Sequence, residues 1–142
     1  MSLVLDSSAT LAWIFPDEAN DETRRIFEQV TLSGAWVPSL WRLEIANSLQ
    51  IGIRNRRIDA ARRDAVLADL SVLNITIDPD TDRFAWTNTL QVADRFRLTL
   101  YDASYLELAQ RRGFPLATFD RALQASAKIL GVPLAGVPLL GA

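Results

Sequence analysis

The sequence predicts an α/β domain with a central parallel sheet, and three observations carry that prediction. Short apolar runs alternate with amphipathic stretches along the whole chain, so each strand is separated from the next by helix. Strands joined through helices pair in parallel by right-handed crossovers, with helices on both faces. The chain has 142 residues, 49% of them hydrophobic, and no cysteine, which suits one compact core over residues 1–142 rather than a disulfide-stapled miniature. The architecture expected is three-layer α/β/α, with a sheet of four to five strands.

Taken in order, Leu3-Val4-Leu5 is a buried strand ending at Asp6. Ser7-Ser8 open an apolar helix that Pro16 ends, and an amphipathic helix runs from Asp17 to about Leu32, with acids early and Arg24-Arg25 further along. Gly34 breaks it and Ala35-Trp36-Val37 extends. Ser39 is expected to cap a helix reaching about Arg57, and Asp59 another reaching about Leu73. Ile75-Thr76-Ile77 alternates as a strand does. Thr81 to Phe96 and Leu100 to Arg112 read as two helices, the second stopped by Gly113. Pro115 to Phe119 is a strand delivering Asp120 to a last helix that Gly131 ends, and Val132 to Leu140, with Pro133 and Pro138, reads as a short edge strand. No repeat, linker or low-complexity tract interrupts this order.

Composition excludes much chemistry. With neither histidine nor cysteine, the chain has no Ser-His-Asp triad, cysteine nucleophile, histidine base or thiolate metal site. Carboxylates, hydroxyls, tyrosines and arginines remain. The net charge is −2, from 15 basic and 17 acidic residues, so the chain lacks the overall basicity that grips polyanions by charge alone. Lys128 is the one lysine; the other basic residues are arginines, suited to forked phosphate contacts. Arg54, Arg56, Arg57, Arg62 and Arg63 form the densest basic patch, read equally as a solvated helix end or as a backbone-gripping surface. Asp6 interrupts the opening apolar run, no Lys or Arg precedes it, and no apolar stretch approaches a membrane span, so a cytoplasmic protein without membrane insertion is expected.

Four acids stand where surface acids do not. Asp6 and Asp120 end strand-like runs, and ligand crevices of open parallel sheets lie beyond the carboxyl ends of the strands. Glu44 shares a helical face with Leu40, Trp41, Ser48 and Ile51, Asn47 lying at its flank and Arg42 about 160° away. Asp102 shares a face with Leu98, Tyr105, Leu106 and Ala109, whereas Glu107 falls on the opposite side, where a solvated acid belongs. Each acid has an ordinary alternative: a helix cap for Asp6 and Asp120, a capping box with Thr99 for Asp102, an arginine partner for Glu44. Together they favour a metal site. Carboxylates about 5 Å apart repel by about 3 kcal/mol per pair at an effective dielectric near 20, so a cluster calls for a cation or for protons. Oxygen-only ligation favours magnesium or manganese over zinc. Ser7 and Thr118, beside two of the acids, have hydroxyls able to orient a ligand or merely to cap.

At these residues the chain resembles the PIN domain family, and within it the VapC-type toxin ribonucleases. The resemblance runs over essentially the whole length, through Leu3-Val4-Leu5-Asp6-Ser7-Ser8, Leu43-Glu44-Ile45-Ala46-Asn47-Ser48-Leu49, Leu100-Tyr101-Asp102-Ala103-Ser104-Tyr105-Leu106 and Ala117-Thr118-Phe119-Asp120. It implies a PIN-like fold and an acidic magnesium pocket made by Asp6, Glu44, Asp102 and Asp120, with Thr118, Asn47 and Ser7 in support and manganese able to substitute. It implies hydrolysis of RNA leaving a 5′-phosphate, a cognate antitoxin protein, and a homodimer, with the apolar segments Trp13-Ile14-Phe15 and Leu49-Ile51-Ile53 as interface or core. Arg54, Arg56 and Arg57 are the candidate RNA contacts. An RNA-processing nuclease without an antitoxin and a catalytically silent interaction module on the same fold stand as alternatives. A receiver-type signalling domain is disfavoured, because Asp6 is followed by two serines and no lysine lies near the motifs.

Overall fold

In the computed structural model, which describes residues 1–137, eight helices and four strands are arranged as an α/β/α sandwich. The strands are β1 (Leu3–Leu5), β2 (Ala35–Val37), β3 (Ile75–Ile77) and β4 (Leu116–Ala117), in the order β3-β2-β1-β4, every pair parallel. β1 lies inside the sheet and its three side chains are fully buried, which is why it is an unbroken apolar run. β3 is an edge and keeps the alternating, half-exposed pattern of Ile-Thr-Ile. The fifth strand reduces to a single parallel bridge between Leu116 and Leu134; the part of the expected tail strand from Pro138 onward lies outside the described residues.

The helices are α1 (Ser7–Ile14), α2 (Asp21–Ser33), α3 (Trp41–Arg54), α4 (Ala60–Ser71), α5 (Thr81–Ala85), α6 (Asn88–Phe96), α7 (Leu100–Arg112) and α8 (Arg121–Leu130). α1 packs on α2 and α3, while α7 packs on α5, α6, α8 and the strands β1 and β4. Between them lies one core that includes Leu3, Leu5, Ile14, Ile26, Ile45, Leu49, Tyr105, Leu108 and Leu116. At Gly34 the chain leaves α2 with φ +76, and a Cβ there would sit 2.8 Å from the Asn74 carbonyl, so glycine lets β2 approach β3 closely.

Four local expectations are corrected. α2 begins at Asp21 rather than Asp17, because the Asn20 carboxamide accepts from the Thr23 amide and caps it there; Pro16–Glu18 form a separate 3-10 turn. Ser39 does not cap α3. Its amide donates to the Thr81 hydroxyl, and α3 starts at Trp41 with no side-chain cap and ends at Arg54. The single helix expected over Thr81–Phe96 breaks at Trp86-Thr87, since α5 meets α7 through Phe84, under the Arg111 guanidinium, whereas α6 meets it through Val92 and Ala93. Glu107 is not solvated. Every residue from Ala103 to Ala109 is buried, and Glu107, 4% exposed, pairs with Arg111 at 2.7 Å.

Candidate functional site

Asp6 leaves the carboxyl end of β1 and is the N-cap of α1, its Oδ1 accepting from the Ser7 amide at 2.8 Å. Asp120 follows the β4 end and caps α8, its Oδ1 accepting from the Leu123 amide at 2.8 Å. The Asp6 amide donates to the Ala117 carbonyl, which brings these two strand ends side by side. Glu44 stands in the first turn of α3, and Asp102 in the first turn of α7, where the Thr99 hydroxyl accepts from its amide. All four acids therefore sit at helix N-termini, whose partial positive charge favours carboxylates. Asp6 and Asp120 thus cap helices, as the ordinary alternative for each of them expected.

The charges interact. Asp120 acts on Asp6, Asp6 and Asp120 act on Asp102, and Asp6 and Asp102 act on Glu44. Burial pushes the Asp6 carboxyl up, hydrogen bonds from Thr118, Ser8 and Ser7 pull against it, and the Asp120 charge adds to a net rise. Glu44 is raised by burial, opposed by the Tyr105 hydrogen bond and reinforced by the charges of Asp6 and Asp102. Asp102 is raised by burial and by Asp6 and Asp120. Among the described residues no arginine or lysine lies within ion-pair distance of any of the four. Asp78 behaves oppositely: burial works to raise it, but hydrogen bonds and charge from Arg111 hold it below its ordinary value.

Two hydroxyls lock Asp6. Ser8 and Thr118 both donate to its Oδ2 at 2.7 Å, and they in turn accept from the amides of Phe119 and Asp120. Backbone amides thus polarise hydroxyls that face a buried carboxylate, and each Asp6 oxygen accepts two hydrogen bonds, Oδ1 from the amide and, at 3.5 Å, the hydroxyl of Ser7. Among the described residues Asp120 Oδ2 and Glu44 Oε2 accept no hydrogen bond, each acid spending one oxygen on an anchor. The donor set is carboxylate and hydroxyl oxygen alone, which fits a hard dication. Among the described residues no three acids are drawn tightly enough to grip one ion between them.

Of the supporting residues, Ser7 and Thr118 touch Asp6 directly. Asn47 is exposed one turn beyond Glu44 on α3 and has no side-chain hydrogen bond to the four acids among the described residues. Arg54 stands ten residues beyond Glu44 on the same helix, about 15 Å along its axis. Arg57 is engaged with Asp17 and Glu18 and lies over the Phe15 ring at 4.0 Å. Sequence reasoning missed Ser8 and Tyr105 as members of the site. The signal for Tyr105 was its place on the Asp102 face, three residues on; for Ser8, only its adjacency to Ser7.

The family model described as PIN domain matches residues 3–129. The chain belongs to the PIN domain family. This PIN domain is similar to Ribonuclease VapC3 of Pyrobaculum aerophilum, 26% identical over 133 residues that cover 94% of this chain and 100% of that protein. It also resembles the crystal structure of PAE2754 from Pyrobaculum aerophilum, at 28% identity and a TM-score of 0.62, covering 92% of this PIN domain and 96% of that chain. Among the described residues no helix is long and apolar enough to cross a membrane.

Proposed function

We propose that this PIN domain is a magnesium-dependent endoribonuclease that hydrolyses RNA phosphodiester bonds and serves as the toxin of a toxin–antitoxin pair. What supports the reading is that the charges of Asp6, Glu44, Asp102 and Asp120 act on one another with no basic partner among the described residues, while the buried acids Asp78 and Glu107 each have an arginine. Acids kept for structure are neutralised here; acids left against one another await a cation. The name of the similar VapC3 supports the ribonuclease assignment.

Asp6 and Asp102, central to the charge pattern, are the residues to hold magnesium, with manganese as a substitute and Glu44 and Asp120 completing the set. When bound, the ion supplies positive charge against the phosphate oxygens and lowers the pKa of an attacking water. Glu44, raised by burial, is suited to take the proton that the water loses. Thr118 and Ser8 hold Asp6 in one orientation. Exposed arginines, Arg54 and Arg56 among them, position the RNA backbone without reading its sequence. The cognate antitoxin is the expected partner, and a homodimer the expected assembly, which light scattering measures directly.

The test is cleavage of a single-stranded RNA by purified protein with Mg2+ or Mn2+. Cleavage should stop with chelator and fall by about a hundredfold or more in Asp6→Asn. Cleavage that survives both, or none with either metal, refutes the reading.

A further inference from the structure

Tyr105 is completely buried on α7, one turn beyond Asp102, and its hydroxyl donates to Glu44 Oε1 on α3, 61 residues away, at 2.5 Å. Among the described residues this is the only hydrogen bond to the Glu44 carboxylate. The other group beside the phenol is the Ser7 hydroxyl, so Tyr105 stands where the end of β1, α3 and α7 meet. A phenylalanine would fill the same space among apolar neighbours; the hydroxyl adds nothing that packing requires. Its one strong partner is a carboxylate of the acid cluster. An ordinary phenol is protonated at neutral pH, so with its hydroxyl aimed at a carboxylate oxygen Tyr105 acts as a donor rather than as a ligand.

The geometry points to Tyr105 as the positioning residue of the acid cluster: by occupying Glu44 Oε1 it holds that carboxylate in one orientation and leaves Oε2 for a cation or its water. This rests on the metal-binding reading above and adds a residue to it. Because α7 carries both Asp102 and Tyr105, a single rigid helix sets one acid directly and aims a second from across the site. Partners that orient ligating carboxylates change metal affinity by about 10–100-fold when removed.

The experiment is Mn2+ titration of the full chain, followed by electron paramagnetic resonance, for wild type, Tyr105→Phe, Glu44→Ala and the double variant, with metal-free melting recorded for each. Tyr105→Phe should weaken Mn2+ binding about 10–100-fold, with metal-free melting lowered only by the loss of one hydrogen bond to a carboxylate. In the Glu44→Ala background the same substitution should have less than about a twofold effect, because Tyr105 acts through Glu44. A second measurement uses the wild type, whose two tyrosines give two Cζ resonances after carbon-13 labelling; the Tyr105 signal should move as Mg2+ saturates the site. Wild type that binds Mn2+ while Tyr105→Phe binds equally well, additive effects in the double variant, or a Tyr105 resonance indifferent to Mg2+ overturns this inference alone. Wild type that takes up no Mn2+ removes the metal-binding reading, and this one with it.

Discussion

Asp6 shows the energetic conflict at the level of one side chain. It is 3% exposed, accepts four hydrogen bonds, two from Ser7 and one each from Ser8 and Thr118, and still has its carboxyl raised, because burial and the neighbouring Asp120 charge outweigh them. Glu44 and Asp102 are raised by the same kind of cause. A carboxyl raised in the folded state binds more protons folded than unfolded, so stability falls as pH rises through the interval between its unfolded and folded values. For these three acids the metal-free protein should therefore lose stability from about pH 4 upward, and Mg2+ at neutral pH should restore it by mass action. Thermal melting against pH, with and without Mg2+, measures both. Mg2+ should add little to the melting of Asp6→Asn; a variant that gains as much as wild type contradicts this account.

Helix ends are where structure and chemistry share atoms. Asp120 caps α8 through the Leu123 amide while its charge reaches Asp6 and Asp102. Asparagine caps as well as aspartate, and alanine does not. Asp120→Asn should hold chemical stability near that of wild type, whereas Asp120→Ala should lose about 1 kcal/mol; RNA cleavage should fall in both. Equal stability losses in urea would mean that charge, not the cap, is what α8 needs. The same reasoning bears on the placement of the four acids: each stands at a helix N-terminus, whose partial positive charge favours a carboxylate.

Across the whole molecule, two groups of buried and half-buried acids have opposite fates. Asp78 and Glu107 are tied by Arg111, which donates to Asp78 Oδ2 at 2.6 Å and to Glu107 Oε1 at 2.7 Å and lies over the Phe84 ring. Arg112 adds longer contacts to Asp78 and Asp80 and covers the Trp36 ring. This cluster ties α7 to the segment after β3 and to α5. Arg111→Met strands two buried charges and should cost about 3–5 kcal/mol, read as a large fall in the urea midpoint. Cleavage per folded molecule should persist, since the cluster touches none of the four site acids. Because Asp78 is held below its ordinary value, its contribution to stability is present at neutral pH and is lost as pH falls through that lowered value. Acid thus weakens this cluster while relieving the other.

Much of this organisation could be read from the linear chain because its causes are local. β1, β2 and β3 coincide with the apolar runs expected, and Asp59 and Asp120 cap the helices that follow them, since a cap reaches only three residues along the backbone and strand and helix periods are visible in a short window. The helical period placed Glu44 and Asp102 inward, and both are half-buried. Other features required the folded neighbours. Whether an acid finds an arginine depends on segments far apart in the chain, as with Asp78 and Arg111, and so does the bond from Tyr105 to Glu44. The burial of Glu107 could not be inferred from its side of the wheel, because α7 is enclosed by β1, β4, α5, α6 and α8 and has no solvent face over Ala103–Ala109. Residue type and spacing decided which groups are able to act; the packing of distant segments decided which charges are cancelled and which remain to be used.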